Sequence, residues 1–251
     1  MGQVGSLEDY KRPFQEYRMG FAESLEHLSN AVIVLSQDPN VPDEFKTQTF
    51  GVLDRAFNKH IEKVPNDARY RLIYGIFLSR FGLNDRALEQ LNIAQELSPR
   101  KQSIYFERIN NLILENRGEE ALQLAKEAYE LEPSFEEAKM VYALTASMAG
   151  DRVLSDSLIS KMDEERLVSD DRYLSLLMIQ NNFDKAVSVA KRRIELQPSN
   201  LQAWTNLAGV YLQTGNTRET IRVLEEAIGL FPEFKEQGEF FINEIRAGRN
   251  P

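Results

Sequence analysis

No cysteine occurs in the 251 residues. That excludes disulfides, thiolate nucleophiles and Cys-ligated zinc together, and leaves the redox compartment open, because a cysteine-free chain tolerates any of them. Histidine is almost as scarce. His27 and His60 are the only two, they fall on different expected helices, and neither has a carboxylate or second histidine at a metal-ligand spacing. No catalytic residue, cofactor site or metal site is therefore expected, and both histidines are read as packing or interface residues. Long apolar runs are missing too: the nearest, Ala31 to Leu35, has five residues, far short of the run of about 18 that a membrane-spanning helix needs. The chain is expected to be soluble, with no direct membrane insertion. Positive charge is in deficit, since 30 Lys and Arg against 39 Asp and Glu leave a net charge of −9. Such a balance repels phosphate backbones, so nucleic acid is not expected as a partner. The opening Met1-Gly2-Gln3-Val4-Gly5-Ser6 fits the loose N-myristoylation pattern, but is read as an expression remnant or frayed terminus.

What the chain does have is punctuation. Prolines stand at Pro65, Pro99, Pro133, Pro198 and Pro232, with gaps of 34, 34, 65 and 34 residues, the 65 hiding one skipped proline. Between them run helical apolar periods and no strand-like alternation. The last unit is the clearest, with Trp204, Leu207, Ala208, Tyr211, Gly215, Thr220, Leu224, Ala227 and Pro232 in register. This arrangement resembles the tetratricopeptide repeat, a helix-turn-helix of 34 residues. Counting back finds Tyr173, Leu177, Ala186 and Pro198; then Tyr142, Ala146, Gly150 and Ser155, in a unit three residues short whose closing proline is replaced by Asp163-Glu164-Glu165; then Tyr105, Leu112, Ala121 and Pro133; then Tyr74, Leu78, Gly82, Ala87 and Pro99. Small Ala87, Ala121, Ser155 and Ala186 sit where the second helix of a pair crosses the first and the backbones approach closely. Gly82, Gly150 and Gly215, with Asn181 in the fourth unit, fit the left-handed helix cap of a tight turn.

The expected architecture is all-α: a right-handed superhelix of antiparallel helix pairs with an N-terminal helical hairpin and a C-terminal capping helix. Residues 1–12 are read as a flexible N-terminal segment, 13–66 as a hairpin forming a degenerate zeroth repeat, 68–232 as five repeats, and 233–251 as capping helix and tail. Within the hairpin, Pro13 is expected to open one long helix through Val34, and a second helix spans Asp43 to Val64.

Such superhelices use the concave surface lined by their first helices. The register places on it Arg69, Leu72, Ile73, Ile76 and Arg80, then Phe106, Glu107, Asn110 and Ile113, then Met140, Val141, Leu144 and Met148. The lining then turns polar with Asp171, Arg172, Ser175, Thr205, Asn206 and Gln213. The apolar members are read as spare to the pair-to-pair core. They form either a groove for a protein or peptide segment or a bed for the N-terminal helix, with self-association as a further partner class. The partner-binding set is thus Leu72, Ile73, Ile76, Phe106, Asn110, Met140, Leu144, Met148, Arg172 and Asn206. Chaperone-binding members of the class clamp a peptide carboxylate with Lys, Asn and Arg from successive first helices. Here only Asn110, Arg172 and Asn206 are of suitable type, in the wrong repeats.

Two stretches are more specific. Asp9-Tyr10-Lys11-Arg12-Pro13-Phe14, running into Leu25-Glu26-His27-Leu28, and the closing segment Phe234 to Gly248 are similar to the borders of the tetratricopeptide tails of bacterial O-antigen ligase and polymerase-like proteins. That resemblance implies a non-catalytic protein-interaction scaffold, the soluble tail of a cell-envelope polysaccharide protein tethered at the bacterial inner membrane on a side left open. Glycan transfer would belong to the membrane part, so no catalytic residue carries over. The alternative is an accessory domain binding saccharide or lipid-linked glycan, with Tyr70, Tyr105, Phe106 and Trp204 as its aromatic candidates.

Overall fold

A computed structural model describes residues 6–17 and 19–249. Among them every regular element is helical, and they divide into two compact units that meet at Glu132/Pro133. That division falls inside the stretch read from the sequence as one run of repeats. Gly2 of the acylation pattern lies outside the described residues, as do Asn250 and Pro251 of the tail.

The first unit opens with α1 (Leu7–Lys11), whose first turn is tied by the Ser6 N–H donating to the Asp9 carboxylate at 2.7 Å. Part of the segment expected to be flexible is thus a helix, and it buries Tyr10 edge-on against Phe45. The long helix expected from Pro13 to Val34 is not formed. Arg12–Phe14 make one 3-10 turn, and α2 (Phe21–Gln37) starts only after Gly20, whose φ of +87° no continuing helix can hold. The helix α3 (Asp43–Lys63) pairs with α2. Two further pairs of the chain's 34-residue rhythm complete the first unit: α4 (Ala68–Arg80) with α5 (Asn84–Leu97), and α6 (Gln102–Leu114) with α7 (Gly118–Leu131). Because α2 packs beside α4 as well as α3, it stacks as the first helix of a preceding pair. Phe21, Leu25, Val32, Leu53, Phe57, Tyr74 and Phe77 fill this end with one aromatic-rich core. A ring stack of Phe57 on Tyr74 at 4.7 Å helps set the angle between α3 and α4. The Tyr74 hydroxyl donates to Asp54 at 2.6 Å, and Arg86 donates to both.

The second unit contains α8 (Glu136–Met148), α9 (Arg152–Ile159), α10 (Glu164–Ser169), α11 (Asp171–Ile179), α12 (Phe183–Leu196), α13 (Leu201–Gln213), α14 (Thr217–Leu230) and α15 (Lys235–Arg246). The acidic run that replaces the closing proline starts a helix: Asp163 accepts from the Arg166 N–H at 3.0 Å, and Glu164 and Glu165 lie in the first turn of α10, where negative charge suits the helix dipole. The closing helix α15 packs on α14 through Ile242, Ile245 and Gly238, where a methyl group in place of hydrogen would sit 2.7 Å from Ile228.

Within the five pairs from α4 to α14 the turn follows one pattern. A left-handed residue, Gly82, Asn116, Gly150, Asn181 or Gly215, is followed by an N–H that reaches back over the end of the first helix, as in Leu83 to the Leu78 carbonyl at 3.0 Å. Asn116, with φ of +58°, was not anticipated from the sequence. The crossing residues Ala87, Ala121, Ser155 and Ala186 are fully buried, and Thr220 nearly so.

Candidate functional site

The residues expected to line the first-helix face separate into core, clasp and surface. Leu72 is buried with Leu91, Ala94 and Ile104, and Ile76 packs against the same cluster. Met140 has no exposed surface at all. These residues are therefore part of the packing between pairs, contrary to the expectation that the core does not need them. The reason is that successive first helices lie side by side, so register positions that face a groove at its rim face the neighbouring helix at its floor. Ile73 packs against the aromatic core of the first unit, Phe106 and Leu144 are half-buried, and Asn110 and Met148 are exposed. Nor does α2 lie across this face as a bed-filling helix: it stacks beside α4, where Arg69 donates to Glu26 at 2.6 Å.

In the second unit the N-terminal ends of the first helices carry an ionic clasp. Arg172 donates from Nε to Asp170 at 2.9 Å and from Nη2 to Asp170 and Glu137 at 2.6 and 2.9 Å, while Nη1 also contacts Glu137. Hydrogen bonds to Asp170 and Glu137 keep the guanidinium firmly ionised. All its donor nitrogens are engaged, so Arg172 holds α8 and α11 together and is not presented to a ligand. Beside it Arg193, buried on α12, donates to the Val168 carbonyl at 2.8 Å and pairs with Asp171. Asn206 donates to Asp171 at 3.2 Å and accepts from Gln202 at 2.7 Å.

Toward the other end of the same helices the surface opens. A cleft of about 500 Å³ lies between α11 and α13, walled by Ser175, Met178, Ile179, Thr205, Asn206 and Gln213 and floored by Gly209. Ile179 is 43% exposed although apolar. Gly209 sits inside a helix, where glycine costs about 1 kcal/mol relative to alanine, yet nothing lies within 4 Å of where its Cβ would be. The glycine deepens the cleft without serving any close packing. Sequence reasoning named Ser175, Thr205, Asn206 and Gln213 but missed Met178, Ile179 and Gly209, which occupy the same register one turn further along each first helix. Among the described residues no group of three His, Asp or Glu gathers as metal ligands would, and no helix is long and apolar enough to cross a membrane.

Residues 201–234 match the tetratricopeptide repeat in sequence, over α13, α14 and the following turn. Together with the five alike turns and buried crossing residues, this decides the fold. The chain has the tetratricopeptide fold, and its residues 201–234 carry one such repeat in sequence. Solved structures of similar fold include a tetratricopeptide repeat protein from Parabacteroides merdae ATCC 43184, at 15% identity and a TM-score of 0.57 over 81% of this chain and 80% of that one. PilW, a widely conserved type IV pilus biogenesis factor, aligns at 14% identity and a TM-score of 0.55 over 82% and 94%. Yeast Tom70 aligns at 20% identity and a TM-score of 0.54 over 96% of this chain, which spans only 58% of Tom70. Identities this low carry the fold alone. No curated protein matches the chain in sequence.

The aromatic candidates for a saccharide surface are largely committed elsewhere. Tyr70 and Tyr105 are buried, the Tyr105 hydroxyl donates to the Pro99 carbonyl at 2.9 Å, and the half-buried Trp204 donates its indole N–H to the Pro198 carbonyl at 3.1 Å.

Proposed function

We propose that the chain is a non-catalytic protein-interaction scaffold and that the second unit holds a short peptide segment in the cleft between α11 and α13. The observation that carries this reading is the cleft itself: exposed Ile179 and half-buried Met178 supply an apolar wall, while Ser175, Thr205 and Gln213 supply polar partners for a peptide backbone. Ile73, Ile76, Phe106, Asn110, Leu144 and Met148 are further exposed or half-buried members of the partner-binding set. Replacing Gly209 by Leu puts an apolar side chain into the cleft, and its Cβ would meet nothing within 4 Å. Peptides selected on the chain from a random library should bind Gly209→Leu at least tenfold more weakly while the melting temperature is kept. Equal binding to both chains would remove the site.

We extend the proposal to a setting: the tail of a bacterial membrane protein of envelope-polysaccharide assembly. Its support is the likeness of residues 9–14 and 234–248 to the borders of such tails. Cell fractionation with an antibody to the chain tests it, since recovery wholly in the soluble fraction would rule the tether out.

A further inference from the structure

A second cleft, of about 540 Å³, lies in the first unit where the end of α2, the start of α3 and the end of α4 come together. Its chemistry differs from that of the cleft over Gly209. Phe50 and Phe81, both half-buried, line it with their rings 4.8 Å apart, and Phe50 is backed by a parallel stack on Phe77 at 5.3 Å. This aromatic wall is held rigidly by the core behind it.

Two cations share the cleft. The Lys46 side chain is only 19% exposed, and its ammonium makes no hydrogen bond among the described residues. Its single ion-pair neighbour, Asp43, stands 3.6 Å away on a side chain that is 99% exposed and gains little from the contact. Arg80 is exposed and has neither a hydrogen bond nor an ion pair among the described residues. Its charge is felt by Glu107, whose carboxyl is pushed up by burial and pulled back in part by Arg80. Both cations thus stand beside the aromatic wall without a hydrogen-bond acceptor among the described residues.

The two hydroxyls of the lining complete the specification. Ser36 donates its proton to the Ile33 carbonyl at 2.7 Å, and Thr47 donates to the Asp43 carbonyl at 2.9 Å. Both oxygens are left with lone pairs only, so they take donors. A matching ligand brings negative charge for Lys46 and Arg80, N–H groups for Ser36 and Thr47, and an apolar group for Phe50 and Phe81. Inorganic anions carry the first of these alone.

We propose that this cleft binds an acidic peptide segment, with a carboxylate between Lys46 and Arg80 and a neighbouring aromatic or aliphatic side chain against Phe50 and Phe81. It would make the first unit a docking site independent of the cleft on the second.

The test uses the full chain and fluorescein-labelled, end-blocked peptides that alternate Asp or Glu with Phe or Leu, read by fluorescence polarisation at low salt. Lys46→Met and Arg80→Gln should each weaken binding at least tenfold, and raising the salt should weaken binding to the unaltered chain. Gly209→Leu should leave it unchanged, which separates this site from the one proposed above. A control series with Lys in place of the acids should not bind. If Lys46→Met fails to fold, Arg80→Gln, at an exposed position, decides alone. Unchanged affinity in Arg80→Gln, equal binding of the lysine peptides, or displacement by inorganic phosphate at the concentration at which unlabelled peptide displaces would each overturn the proposal.

Discussion

The Tyr17 hydroxyl and His60 Nδ1 lie 3.2 Å apart, joining the lead-in segment to the last turn of α3. The imidazole is buried, stacked parallel to Phe21 and 4.3 Å from the Tyr70 ring, and its Nε2 has no hydrogen-bond partner among the described residues. Lys59 already sits over Phe21 and Arg69 over Tyr70, so a further positive charge is poorly placed here.

That environment makes acid stability a test. Burial lowers the His60 pKa, and Asp67 offsets this only in part. Well above the ordinary imidazole value of about 6.5 both folded and unfolded chains hold a neutral ring, and there is no penalty. As pH falls through that value the unfolded chain takes up a proton that the native state resists, so native stability drops until the lower native pKa is passed. The melting temperature should fall between pH 7.5 and 5.5, and His60→Phe should flatten that slope. An equal slope in the variant would show that His60 is not its source.

Buried Arg193 should matter for folding. Its Nε–H satisfies the buried Val168 carbonyl at 2.8 Å, linking α12 to α10. Arg193→Met leaves that carbonyl unpaired, at a cost of about 1–3 kcal/mol. Urea denaturation measures it, and an unchanged midpoint would contradict the linkage.

Two helical glycines should respond in opposite directions to alanine. At Gly75 the new Cβ would meet the Leu91 side chain at 2.7 and 2.8 Å and the Ala87 carbonyl at 3.3 Å. Overpacking of this kind costs about 1–3 kcal/mol, which outweighs the gain of about 1 kcal/mol in helix propensity. Gly209→Ala meets nothing and should raise stability by up to about 1 kcal/mol. Thermal melts of the two variants that move in the same direction would refute this.

Met140 and Ile179 occupy the same helix face and should differ sharply. Met140→Ser empties a fully buried site, a loss of about 2–5 kcal/mol. Ile179→Ser, at a position 43% exposed, should cost less than about 1 kcal/mol and reduce binding of the selected peptides. A comparable loss of stability in both would mean that the cleft wall is core.

Much of this architecture was legible residue by residue. Proline spacing, small crossing residues and turn glycines are local requirements, because each repeat must satisfy the same turn and the same close helix crossing. The second turn escaped notice because asparagine at 116 meets the left-handed requirement without the glycine that advertises it. The break at Gly20 escaped because an apolar stripe continued through it, and a periodic stripe does not reveal where the backbone leaves the helix.

The candidate site was less legible. The sequence by itself determined the all-α class, the paired helices and which face of each first helix is unlike a generic surface. Only the tertiary structure decided that Leu72 and Met140 are core, that Arg172 is consumed by Asp170 and Glu137, and that open space lies above Gly209. The physical reason is that helical periodicity specifies the direction in which a side chain leaves its own helix. Whether it meets a neighbouring helix, a counter-charge or an empty cleft depends on residues about one repeat away, whose distance is set by how the pairs stack.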